Sequence, residues 1–168
     1  VICDETADPV ILAADILGQA EHDPNARQAL VSLSEKTARE TMEELEKQLA
    51  VLPTREIAGP AWQSNGDVIV VDSPAEAVKG SDDWAPEHLE VQTKDWRYYL
   101  DHCRNYGSVF LGEETTVAYG DKTIGTNHVL STMCIPTGQA SLSGPGCSSA
   151  TPGSTSAPRW QRSSSSAS

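Results

Sequence analysis

Short apolar runs alternate along this sequence with longer segments of helical periodicity, and this alternation constrains the fold more than any other feature. The clearest run, Val68–Val71, is unbroken by polar residues, as expected for a strand covered on both faces. Because strands that alternate with helices usually pair in parallel, we predict an α/β layer structure with a mainly parallel sheet. The predicted strands are residues 1–3, 29–34, 68–71, 89–92 and 108–111.

Capping and breaking residues place helices between these strands. Between Ser34, a capping residue, and Pro53, a helix breaker, apolar residues recur at helical spacing with charged residues among them. This segment is the clearest amphipathic helix of the chain. The predicted helices are residues 10–20, 35–52, 95–106 and a segment starting at Ser73-Pro74, with weaker helical character over 54–64 and a turn at Asn65-Gly66.

Charge and cysteine content exclude several functional classes. The 168 residues carry a net charge of −12, and nucleic-acid binding requires a basic surface. No stretch approaches the ~20 apolar residues of a membrane span, and residues 1–4 do not resemble a signal peptide. The four cysteines contain no CxxC pair, so we expect reduced structural thiols in a cytoplasmic protein, with no membrane or nucleic-acid partner.

Residues 134–168 differ in composition from the rest of the chain. They contain no Asp or Glu and two cations, Arg159 and Arg162, so residues 1–133 carry a net charge of −14. Ser, Gly, Pro and Thr dominate, and hydrophobic periodicity is absent. We therefore predict a folded domain over residues 1–133 and a disordered tail over residues 134–168.

An acid and a histidine stand side by side at the start of the fourth predicted strand, as Glu87 and His88. Two neighbouring groups of different pKa can divide proton transfers between them, which suits general acid–base catalysis. Acidic residues beside histidines are common, so taken alone the pair is better explained as a surface dipeptide.

Two further groups could bind a metal or a substrate. Gln19 and His22 are three residues apart at a helix end and can offer an amide oxygen and an imidazole to one metal. The favourable interaction of a histidine with the dipole at a helix C-terminus would equally explain His22. Gly120-Asp121 and Gly125–His128 place an Asp and a His among glycines, which a tight turn would equally explain.

Taken together and in this order, these groups resemble the histidinol dehydrogenase family. The resemblance covers residues 1 to about 132 and implies part of an incomplete Rossmann-like domain. The sequence motifs that carry the resemblance are Asp15–Asp23 (DILGQAEHD), Ala85–Gln92 (APEHLEVQ), Asn105–Gly112 (NYGSVFLG), Tyr119–Asp121 (YGD) and Gly125–Leu130 (GTNHVL).

The resemblance implies zinc- and NAD-dependent oxidation of L-histidinol through the aldehyde to L-histidine, with reduction of two NAD, by a homodimer. Gln19, His22 and Asp121 match zinc ligands. His88 matches the base that accepts the hydroxyl proton, and Glu87 matches the residue that activates water. His128 and His88 match substrate-binding residues, and no residue of this chain is assigned to NAD.

Family members are more than twice as long as this chain. We expect this chain to be a fragment without the nicotinamide-binding region, and residues 134–168 to be read out of frame or from a retained intron. On this view, the chain alone does not reduce NAD. Two alternatives stay open: a dehydrogenase of another small polar alcohol, and a non-catalytic α/β binding module, which stoichiometric zinc binding would disfavour.

Overall fold

A parallel sheet with helices on both faces forms the part of the chain that the computed structural model describes, residues 1–115. The strands are β1 (Ile2–Cys3), β2 (Gln28–Ser32), β3 (Gly66–Val70), β4 (His88–Gln92) and β5 (Ser108–Leu111). The helices are α1 (Pro9–Ala20), α2 (Glu35–Val51), α3 (Arg55–Asn65), α4 (Pro74–Trp84) and α5 (Trp96–His102).

The sheet has the order β3-β2-β1-β4-β5, and every neighbouring pair is parallel. From β1 at the centre the chain builds outward to β3, and then crosses back to add β4 and β5 on the other side. This order is that of a doubly wound, Rossmann-like sheet. The predicted α/β class with a mainly parallel sheet is therefore confirmed.

Two apolar clusters lie on opposite faces of the sheet. The first packs α1, α2 and α3 against β1 and β2, around Leu12, Ile16 and Leu30. The second packs α4 and α5 against the other face, around Ile2, Leu89 and Val91. Successive residues of a strand point to opposite faces, so the polar side chains of β4, at 88, 90 and 92, point to the side that α1 covers.

Side chains just before three helices cap them, and Ser34 and Ser73 do so as the sequence predicts. Asp8 accepts a hydrogen bond from the Val10 amide at 2.8 Å, with Pro9 as the first residue of α1. Ser34 accepts from the Thr37 amide at 3.2 Å, and Ser73 begins α4 in the same way. Satisfying these amides fixes where each helix begins.

Three details differ from the sequence predictions. β3 is an edge strand in which Val70 is 37% exposed, so it is not covered on both faces as predicted. The turn predicted at Asn65-Gly66 is wrong, because α3 ends at Asn65 and β3 starts at Gly66. α5 ends at His102: the Cys103 amide closes the last turn, and the Asp82 carboxylate then accepts hydrogen bonds from the amides of Arg104 and Asn105.

None of the helices within residues 1–115 is long and apolar enough to span a bilayer. Cys3 and Cys103 are buried free thiols, as predicted, and burial raises the pKa of each to about 11. The predicted tail, 134–168, lies outside the described residues, so the domain boundary at 133 stays a prediction.

Candidate active site

The candidate site lies where β4 begins, at the amino edge of the sheet. His88 is the first residue of β4 and points to the side of α1. Because α1 follows β1 and runs back along the sheet, its C-terminal turn, which carries Gln19, returns to this same edge. The topology thus brings together two of the three residue groups that the sequence singles out.

Gln19 and His88 are in direct contact. The amide Oε1 of Gln19 lies 2.9 Å from Nδ1 of the His88 ring. A carbonyl oxygen can only accept, so this contact favours the tautomer with the ring hydrogen on Nδ1, in which Nε2 is the basic nitrogen. The predicted metal ligand therefore favours one tautomer of the predicted base, although the two residues are 69 positions apart.

The backbone before β4 is held by the start of β5. Ala85 ends α4 in the left-handed region, at φ 52°. The amides of Gly107 and Ser108 then donate to the carbonyls of Pro86 and Glu87, at 3.0 and 2.8 Å. A Cβ on Gly107 would lie 2.6 Å from the Glu87 carbonyl oxygen, so only glycine fits there. These contacts fix the backbone of the predicted acid–base pair.

Phe110 forms an apolar wall beside the histidine. Its ring meets that of His88 edge to face, with centroids 5.8 Å apart and planes at 88°. Phe110 is buried, and in the sheet register it lies opposite Glu90. Glu87 and His88 are themselves half-buried, so they are not the surface dipeptide that the sequence alone would favour.

His22 lies two residues beyond the end of α1 and is exposed, whereas Gln19 is half-buried. The Gln19 oxygen has a second lone pair beyond the one that faces His88, and an exposed imidazole is accessible to an ion. An amide oxygen and an imidazole fit a zinc ion that further ligands complete. Within residues 1–115 no three His, Cys, Asp or Glu side chains form a metal cluster. Asp121 and His128 lie outside the described residues, so their predicted roles stay predictions.

A buried acidic pair behind the site escaped the sequence predictions. Glu90 of β4 is 4% exposed and bonds to the half-buried Asp15 of α1. The Gln92 amide donates to Asp15 Oδ2 at 2.6 Å. Burial, and then the charge of Asp15, raise the pKa of Glu90 to about 7. The sequence signal that could have indicated Glu90 is its place between two apolar residues of a strand, Leu89 and Val91.

Comparisons with known proteins show similarity to one enzyme family over most of the chain. The family model for histidinol dehydrogenase matches residues 1–144. A histidinol dehydrogenase homolog from Shouchella clausii is 53% identical over 132 residues, which are 79% of this chain and 31% of the relative. A sulfopropanediol 3-dehydrogenase from Ruegeria pomeroyi is 42% identical over 146 residues, 86% of this chain and 33% of that protein.

A solved structure has the same fold. The crystal structure of histidinol dehydrogenase from Elizabethkingia anophelis superposes with a TM-score of 0.73 at 38% identity, over 78% of this chain and 30% of that one. This chain thus spans about a third of the length of the curated relatives it matches, 31% and 33% for the two above. Because the family model covers most of its length, the chain belongs to the histidinol dehydrogenase family.

Proposed function

We propose that this chain forms part of the active site of a zinc-dependent, NAD-linked dehydrogenase that oxidises L-histidinol through the aldehyde to L-histidine. The observation that carries the proposal is the 2.9 Å contact between Gln19 Oε1 and His88 Nδ1. It joins a residue proposed to hold the metal to one proposed to move the proton. Membership of the histidinol dehydrogenase family supports the same reaction.

In this proposal His88 is the base of the first oxidation. With its Nδ1 hydrogen directed at Gln19, Nε2 accepts the proton of the substrate hydroxyl. Phe110 beside the ring limits the access of water, and the half-buried Glu87 activates the water that adds to the aldehyde. His128 contacts the carboxyl end of the product.

Gln19, His22 and Asp121 would hold the zinc ion. When bound, zinc orients the amino alcohol and NAD takes up the electrons of each oxidation. We assign no residue of this chain to NAD. The small-molecule substrate, the homodimer and the cytoplasmic location belong to the same proposal.

A chimeric enzyme tests these roles. The segment of the Elizabethkingia anophelis histidinol dehydrogenase that matches this chain is replaced by the corresponding part of this chain. With saturating zinc and NAD, His88→Asn should lower the kcat of NADH formation from L-histidinol by about 10²–10⁴-fold. Glu87→Gln should slow oxidation of the aldehyde, supplied as L-histidinal, more than it slows oxidation of the alcohol.

His102→Asn is the matched control, because His102 is an exposed histidine of α5 whose Nδ1 faces the Tyr98 carbonyl. It should leave both oxidations unchanged. If His88→Asn and His102→Asn had equal, small effects in an active chimera, His88 would not be the base.

A second candidate substrate class is another small polar alcohol. The Ruegeria pomeroyi relative, named a sulfopropanediol 3-dehydrogenase, is 42% identical to this chain, which favours this alternative. The ratio of kcat/KM for L-histidinol to that for sulfopropanediol, measured on the chimera, separates the two. A non-catalytic binding module is the third alternative, and it predicts neither NADH formation nor stoichiometric zinc binding through Gln19, His22 and Asp121.

A further inference from the structure

α1 contacts β4 through polar side chains. The buried apolar residues of α1 belong to the cluster with β1, β2, α2 and α3, and within residues 1–115 that cluster contains no residue of β4. The apolar residues of β4, Leu89 and Val91, belong to the cluster on the opposite face. The apolar core therefore positions α1 relative to β4 only through the pairing of β4 with β1, whereas the polar side chains connect the two elements directly.

The polar contacts between the two elements form two rungs. In the first, Asp15 meets Glu90 and Gln92, and in the second, Gln19 meets His88. Four residues of helix rise about 6 Å, and two residues of strand rise about 6.6 Å. The rungs are thus nearly equally spaced on both elements. Two contacts at different heights oppose both sliding and rotation of α1 against β4.

The first rung is costly to bury. Glu90 is 4% exposed, and its Oε2 has no hydrogen-bond partner among the described residues. Burial, and then the charge of Asp15, raise the pKa of Glu90 to about 7, and burial also raises the pKa of Asp15. Glu90 is therefore partly protonated near neutral pH. Apolar side chains would fill this space without the desolvation penalty.

We propose that Asp15 and Glu90 are positioning residues, which lock α1 onto β4 so that Gln19 Oε1 meets His88 Nδ1. The inference rests on the proposed function, because it gives a reason for holding these two groups together. Neither acid touches the substrate in this scheme. They act through the contact between Gln19 and His88, which sets the tautomer of the base and the place of the amide oxygen.

The test uses the full, metal-free chain and three variants. Glu90→Met removes the acid of β4 from the first rung with a side chain of similar length and leaves the bond from Gln92 to Asp15, whereas Glu90→Gln keeps a hydrogen bond to Asp15 as well. Thr41→Val is the matched control, because it deletes a fully buried hydrogen bond of α2, from Thr41 Oγ1 to the Thr37 carbonyl, in the same helical layer. The ¹⁵N chemical shifts of the His88 ring, assigned with a His88→Gln variant, report its tautomer, and circular dichroism reports folding.

The wild-type chain, Glu90→Gln and Thr41→Val should hold His88 mainly as the Nδ1–H tautomer. Glu90→Met should stay folded but shift the ring toward the Nε2–H form. Added Zn²⁺ should bind Glu90→Met about tenfold more weakly than it binds the wild-type chain, a typical effect of a residue that orients a ligand.

An unchanged His88 tautomer in folded Glu90→Met would overturn the proposal, as would an equal shift in Thr41→Val or in Glu90→Gln. So would a Glu90→Met chain that fails to fold while Thr41→Val folds, because the pair would then serve the fold and not the site. The tautomer measurement needs neither zinc nor turnover. A wild-type chain with the expected tautomer but no zinc binding would therefore count against the proposed function alone.

Discussion

Gly107 lies against the backbone of Glu87, and this contact is one of those that position the proposed acid–base pair. A Cβ at 107 would lie 2.6 Å from the Glu87 carbonyl oxygen, which is part of the backbone and cannot rotate away. We predict that Gly107→Ala lowers the free energy of unfolding by about 1–3 kcal/mol, the usual cost of overpacking. Urea denaturation of the chain measures this change.

Gly80→Ala is the control for this prediction. Gly80 lies inside α4, and a Cβ there would meet nothing within 4 Å. Alanine is favoured over glycine in a helix interior, so this variant should gain about 0.5–1 kcal/mol. Equal stability of the two variants would mean that Gly107 is not held against Glu87.

Residue-level chemistry can be predicted from the sequence only in part. The sequence motifs around Gln19 and Glu87-His88 carry the family resemblance, so the sequence alone makes both groups candidates for the active site. Their contact cannot be foreseen, because it depends on how α1 returns across the sheet. Glu90 is missed because an acid inside a strand is ordinarily assigned to an exposed face, and only the sheet order places it beneath α1.

At the scale of elements, the packing of α1 on β4 should make stability depend on pH. The pKa of Glu90 is raised from an ordinary value of 4.5 to about 7, so between these values the folded chain retains a proton that the unfolded chain has lost. The stabilisation from Glu90 is complete below about pH 4.5 and is lost as the pH rises through 7. The loss amounts to ~3 kcal/mol.

Comparison of the wild-type chain with Glu90→Gln isolates the titration of the Asp15–Glu90 pair, because glutamine does not titrate and groups outside the pair are unchanged. Urea denaturation at pH 5, 6, 7 and 8 gives the free energy of unfolding of both chains. As the pH rises, the free energy of unfolding of the wild-type chain should fall relative to that of Glu90→Gln. A difference that stays constant, or that shifts in the wild-type chain's favour, would show that Glu90 is not a buried acid.

Element boundaries follow the sequence where a local cap decides them. Asp8, Ser34 and Ser73 each begin a helix by accepting an amide hydrogen two or three residues on. The sequence places the end of α5 four residues too late, where the backbone amides instead donate to Asp82, a residue of α4. The edge position of β3 depends on strand order, which apolar periodicity does not encode.

At the scale of the whole molecule, the alternation of strands and helices suffices to predict a parallel α/β sheet. It does not predict the order β3-β2-β1-β4-β5, which brings α1 and β4 together on one face. The chain spans about a third of its curated relatives, 31% of the Shouchella clausii protein. The proposed reaction is therefore tested in a chimera that supplies the matching remainder of a relative.

The most direct test of the central claim is the number of NADH molecules formed per L-histidinol consumed by the chimera with the Elizabethkingia anophelis enzyme. A site in which Gln19 orients His88 and Glu87 activates water should carry the substrate through both oxidations and yield two NADH. Formation of only one NADH, with the aldehyde released, would contradict the role of Glu87. No NADH from a folded chimera that binds zinc would contradict the proposed function as a whole.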